Sequence, residues 1–188
     1  MGLKKANANL TLFLVTVLIV HVFYEVWAFL NMYHNAAISG AFGGMVLLAA
    51  LIHGGISFKM VFRDHDSHGK VEYGRLNART VVQRATAAGM GIFLPLHCVT
   101  MMLIMNKKGG VPVLILLLVS EVLFWLFVTV HVALSFSNAL ITLGLLANMK
   151  KRKKVDITAG IICALTTALS SYVIIMTQLA LFFAEGNS

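Results

Sequence analysis

Charge is scarce in this chain. Only 12% of its 188 residues are Asp, Glu, Lys or Arg, and only seven are acidic. The hydrophobic share is 59%, more apolar side chain than a soluble domain of this length has interior to hide. Cysteine is scarce too. Cys98 and Cys163 both stand in apolar runs, so there is neither a disulfide framework nor a CxxC zinc pattern. There is no CxxCH to indicate covalently attached haem, no Gly-rich nucleotide loop and no cluster-binding set of cysteines. There is also no soluble catalytic domain, no internal repeat and no low-complexity segment. The opening MGLKKANANL leads into an apolar stretch without a small-residue cleavage site, and reads as a retained first span. Gly2 is not followed by a Ser or Thr at the myristoylation position.

What the chain has is long apolar runs. Crossing a hydrocarbon core takes about 20 helical residues. Five stretches meet that length, at about 9–33, 37–62, 81–105, 111–147 and 157–183. The expected fold is an all-α integral membrane bundle of five transmembrane helices, one domain over residues 1–188. The fourth stretch is long for a simple span and is expected to tilt or to project beyond the membrane. The connections alternate in character. RDHDSHGKVEYGRLNAR and KKRKK are polar and basic, whereas HNAAIS and NKKGG are short. Thirteen Lys and Arg fall at the N-terminus (Lys4, Lys5), at the end of span two and in the second connection (Lys59 to Arg84), and at Lys150–Lys154. Lys107 and Lys108 alone fall on the other side. By the positive-inside rule the N-terminus is expected in the cytoplasm and the C-terminus outside, in the inner (cytoplasmic) membrane. This placement, with contact to anionic lipid, accounts for the pI of 9.8 better than a nucleic-acid partner does.

The apolar runs carry ionisable residues where these are costly. LIVHVFYEVWAF, residues 18–29, holds His21 and Glu25 within one span. An ionisable side chain at a helix centre costs roughly 2.5–3.5 kcal/mol in a bilayer, so a retained one has a partner or a task. His21, His53, His97 and His131 supply one histidine to each of the first four spans, and the fifth span has none. Neutral imidazole is a common metal ligand, and two histidines on facing helices fill both axial positions of a haem. Gly43, Gly44, Gly54, Gly55, Gly89 and Gly91 lie within a few turns of these histidines, and small residues admit a flat ring or another backbone. Pro95 is expected to kink span three just before His97. Depth suggests pairing. His97 lies 13 residues after Arg84 and His21 lies 16 after Lys5, both towards the outer half. His53 lies 10 residues before Arg63, on the cytoplasmic side. His131 lies 19 before Lys150 and reaches that depth only if span four extends into the cytoplasm.

Five spans with one mid-membrane histidine on each of the first four resemble the single-subunit, di-haem cytochrome b anchor of succinate:quinone and quinol:fumarate oxidoreductases. VVQRATAAGMGIFLPLH, residues 81–97, is similar to that family's third helix, in which Gln-Arg-x-Thr precedes a haem-ligating histidine by about three turns. SFSNALITLGLL, residues 135–146, resembles its fourth helix after the ligand. The resemblance implies two haems b, the outer held by His21 and His97 and the inner by His53 and His131. It also implies Arg84 beside the inner propionates, and flavoprotein and iron–sulfur partners on the cytoplasmic side. One departure stands out. Ser135 occupies the place where the family carries its fourth histidine, and His131 lies one turn earlier on the same face. Either His131 is the ligand or the inner haem is missing. The chain itself would be an electron-transfer, quinone-reactive subunit, with dicarboxylate chemistry on its partners. Two other readings remain: the anchor of a different flavin-dependent reductase, and a haem-free transporter or scaffold with a His/Glu proton relay.

Glu25 and Glu121 lie in the outer half of their spans with no Lys or Arg in the outer half of spans one to four. Desolvation favours the neutral form of a carboxyl group, and a protonatable group suits a quinone, which moves two protons with two electrons. These residues are the candidates for proton exchange with menaquinone or another quinone. Trp27, Asn31, Tyr24 and Gln178 are candidates for its pocket. Glu25→Gln is expected to slow quinol turnover while leaving the haem spectrum unchanged; turnover at the wild-type rate would remove Glu25 from the proton path.

Overall fold

The computed structural model describes residues 2–31, 33–62, 78–105 and 111–185, except for the side chains of 61–62, 104–105, 111–114, 149, 178 and 181–185. The described chain forms five helices and no strand: α1 (Leu3–Leu30), α2 (Ala36–Phe62), α3 (Ala78–Met105), α4 (Val111–Thr142) and α5 (Met149–Glu185). All five are long and apolar enough to cross a membrane, as the hydropathy predicts. In hydrocarbon every backbone polar group needs an internal partner, and a helix provides one. Residues 63–77 of the expected second connection, Lys107 and Lys108, and the Gln178 side chain lie outside the described residues, whereas Ala78 and Arg79, expected in that connection, open α3.

Several expected boundaries differ: α1 already begins at Leu3, and the larger changes lie in α4 and α5. Span four ends at Thr142 instead of running to 147. Gly144 takes the left-handed conformation at φ +76°, which an L side chain adopts only under strain. Its N–H donates to the Ile141 carbonyl at 3.0 Å, and the Leu145 N–H donates to the Leu140 carbonyl at 2.9 Å, closing the helix end as a Schellman turn. KKRKK is also not a connection. Asn148 caps α5 by accepting from the Lys150 N–H at 2.8 Å, so Lys150–Lys154 form its first turns. Asn35 opens α2 in the same way, its Oδ1 accepting from the Ala37 and Ile38 N–H groups at 3.0 and 3.2 Å. Pro95 lies inside α3, which continues on both sides of it.

α4 is the central helix. It packs against α3, α5 and α1, while α1 also packs against α2 and α5. The apolar core joins α1, α4 and α5 through Val22, Val26, Phe124, Trp125, Val128, Val173 and Ile174. Two seams run in antiparallel register. Asn7–Ser57, Thr11–His53 and Glu25–Ser39 step along α1 and α2. Arg79–Ser137, Gln83–Ser135 and His97–Glu121 step along α3 and α4. Gly89 lets these two helices approach, because a Cβ there would meet the Phe127 ring at 2.8 Å. α1 and α3 share no such seam, nor do α2 and α4. The alternating directions bring Lys4, Lys5, Lys59, Arg79, Arg84 and Lys150–Lys154 to one end of the bundle, the basic end.

An ion pair joins α3, α4 and α5 at that end. The Arg79 guanidinium donates to both Asp156 oxygens, at 2.7 and 3.0 Å, and also to Ser137 Oγ and the Leu134 carbonyl. The fork is bidentate and each side chain is about three-quarters covered, so it is worth more than an exposed pair. Arg79→Ala is expected to cost about 2 kcal/mol, the scale of a charged hydrogen-bond group. A thermal melt in detergent would measure it, and an unchanged midpoint would mean that the clamp adds nothing to the bundle.

Candidate cofactor site between the helices

The four membrane histidines occupy two levels. His53 sits opposite Thr11 on α1, and His131 sits opposite Gln83 and Thr86 on α3. Thr11 is ten residues before His21, and Thr86 is eleven before His97. At a 1.5 Å rise per residue, His21 and His97 therefore stand roughly 15 Å further from the basic end. His21 and His97 thus share the far level, and His53 and His131 the level nearer the basic end. Each pair spans two helices that share no packing seam.

At the basic-end level the tautomers follow from the partners. The Gln83 carbonyl lies 3.1 Å from His131 Nδ1 and can only accept, so Nδ1 carries the proton. The Thr11 hydroxyl donates to the Asn7 carbonyl at 2.9 Å, leaving its lone pair to accept from His53 Nδ1–H at 3.3 Å. Both histidines therefore keep the Nε2 lone pair unused. Ser135, the alternative ligand position, is buried and accepts from the Gln83 amide at 2.9 Å. The early end of α4 removes the depth mismatch of His131 seen in the sequence: the helix stops eleven residues beyond it.

At the far level, His97 Nδ1 bonds Glu121 Oε2 at 2.8 Å. Its ring stacks on Phe124, with centroids 4.7 Å apart and planes at 19°, and meets Trp125 edge-on at 6.3 Å. His21 Nδ1 lies 3.8 Å from Glu25 Oε1, beyond hydrogen-bond range. Glu25 accepts instead from the Ser39 hydroxyl, and its second oxygen is 3.7 Å from His34 Nε2. No hydrogen bond engages Nε2 of any of the four span histidines among the described residues. Among those residues no cluster of three or more His, Cys, Asp or Glu could hold a bare metal ion. Two axial imidazoles around a macrocycle make a different donor set, since the ring supplies the other ligands. Gly54, Gly55 and Gly91 have nothing within 4 Å of a Cβ position, while a Cβ on Gly43 would meet the His21 ring at 3.6 Å.

The other expected site residues are dispersed. Arg84 is exposed near the start of α3. Trp27 is exposed on α1, in ring contact with Tyr24 and Tyr33. Tyr24 bonds the Asn35 backbone, and Asn31 closes the end of α1 by donating to the Trp27 carbonyl at 2.8 Å. An apolar cavity of about 50 Å³ lies between α1, α4 and α5, and none of the four histidines lines it. The sequence reading missed Thr11, Thr86, Ser39 and His34 as partners. Thr11, Thr86 and Ser39 lie on neighbouring helices, where the antiparallel register is the signal that would have found them; His34 lies in the connection between α1 and α2.

No family model matches this chain, and neither a curated protein nor a solved structure matches it.

Thr11→Val keeps the shape but strands the His53 Nδ1–H. The expected loss of stability is about 1–3 kcal/mol, the cost of an unmet buried donor. A melting temperature equal to that of the wild type would show that the Thr11 contact does not hold the imidazole.

Proposed function

We propose that this chain is a haem b-containing membrane anchor. In this reading it passes electrons between a quinone, menaquinone or another, and a flavoprotein/iron–sulfur pair of the succinate dehydrogenase or fumarate reductase type. One observation carries the proposal: four histidines, one on each of four helices, stand at two levels, and among the described residues no hydrogen bond engages their Nε2. A bound haem supplies reversible one-electron transfer at its iron. His21 and His97 would hold one such group at the far level, and His53 and His131 the other at the basic-end level. Carbonyl, hydroxyl and carboxyl partners at Nδ1 are the ordinary companions of a ligating imidazole, fixing its tautomer and ring orientation.

The basic end is assigned to the cytoplasm by its charge. The exposed lysines at the start of α5 would then meet the soluble partners or anionic lipid headgroups. Arg84 is the cation assigned to the inner propionates, as a charge-assisted hydrogen bond. Glu25 and Glu121 would exchange protons with the quinone at the far level. The dicarboxylate chemistry would belong to the partners, and co-purifying subunits would distinguish these from another flavin-dependent reductase.

The far level also supports a second reading. His34, Glu25 and His21 follow one another at 3.7 and 3.8 Å, and His97 meets Glu121, so a haem-free protein has the parts of a proton relay. Haem content decides between the readings. The protein would be purified from membranes supplied with haem, and a dithionite-reduced minus oxidised spectrum would be paired with a pyridine haemochrome assay. Two haems b per chain are expected, falling to one in His131→Ala and staying at two in Ser135→Ala. A haem-free wild type would overturn the cytochrome reading. One haem in the wild type would remove the His53–His131 site.

A further inference from the structure

Glu121 is the largest fully buried side chain in the described protein, at 1% exposure. One oxygen bonds His97 Nδ1 at 2.8 Å, and the other, Oε1, is buried with no hydrogen-bond partner. A carboxyl group sealed from water is expensive unless its surroundings answer it. As a mere link between α3 and α4 it would be redundant, because Arg79–Ser137, Gln83–Ser135 and the Gly89–Phe127 contact already join those helices. Phe124 and Trp125, three and four residues further along α4, hold the same imidazole by stacking and by edge contact. Three successive neighbours on one helix therefore converge on one ring.

We propose that Glu121 is a positioning residue that sets the electron-donor strength of His97. This rests on the haem reading above and goes beyond the proton role given to Glu121 there. In its ionised form Glu121, accepting from Nδ1–H, draws that proton away from the ring and makes Nε2 a more basic ligand, which favours the oxidised iron. The other level lacks this device: His131 bonds a backbone carbonyl and His53 a hydroxyl, both neutral acceptors. Phe124 keeps the ring plane fixed, so the effect enters through the charge on Nδ1's partner and not through ring rotation.

Glu121→Gln tests the proposal, because an amide oxygen preserves the link and the shape while removing the charge. Redox titration of the haem bands, with the low-spin ferric signal followed by electron paramagnetic resonance, reads the ligand directly. The expected result is unchanged haem content, a shift in the ferric signal of one haem only, and a rise in its midpoint potential. The rise should amount to at least a tenfold change in its reduction equilibrium, about 59 mV for one electron. Full haem content with both reduction equilibria within twofold of wild type would overturn the proposal. If Glu121→Gln loses a haem, Glu121→Asp decides. Retention of both haems with wild-type potentials would support a requirement for the carboxylate, and loss of the same haem would reduce Glu121 to a structural clamp. A wild type without haem would instead sink the parent reading, so the two failures are distinct.

Discussion

An imidazole in hydrocarbon has two nitrogens and no water to satisfy them. This constraint organises the bundle. At three of the four span histidines Nδ1 has a partner on a neighbouring helix: a threonine hydroxyl, a backbone carbonyl or a carboxyl group. At the fourth, the nearest carboxyl stands just out of reach on the same helix. These partners require α1 to lie against α2, and α3 against α4, each in one register. Once the registers are set, the histidines fall into two levels, and among the described residues no hydrogen bond engages the second nitrogen of any of them.

The rest of the packing follows from keeping those levels apart. α4 carries the core, with 33% of its span buried, and joins α3, α5 and α1. The apolar contacts of Phe124, Trp125 and Val128 with α1 and α5 hold the two hairpins in place across a common centre. At the basic end the Arg79–Asp156 pair closes the α3–α4–α5 side. Polar interactions are thus concentrated at the helix seams, where they fix register, and dispersion forces fill the middle.

Much of this was legible in the sequence. The five spans needed only length and hydropathy, and the four histidines declared themselves by their cost in an apolar run. That His21 and His97 share a level followed from counting residues to the flanking charges. The end of α4 was not legible by hydropathy, because Leu143, Leu145 and Leu146 continue the apolar pattern; the left-handed Gly144 ends the helix. KKRKK read as a connection because polarity was taken for a loop, whereas Asn148 starts a helix that carries those charges. The His97–Glu121 contact joins residues on two helices whose relative register no local pattern encodes. The same holds for Thr11 with His53.

α2 stands apart from this scheme. Only 6% of its span is buried, and its one extended seam is with α1. It is the wall of the bundle held by the fewest contacts. Nearly all of the span's surface is left to what surrounds the bundle, so lipid, more than protein, is the solvent of this helix.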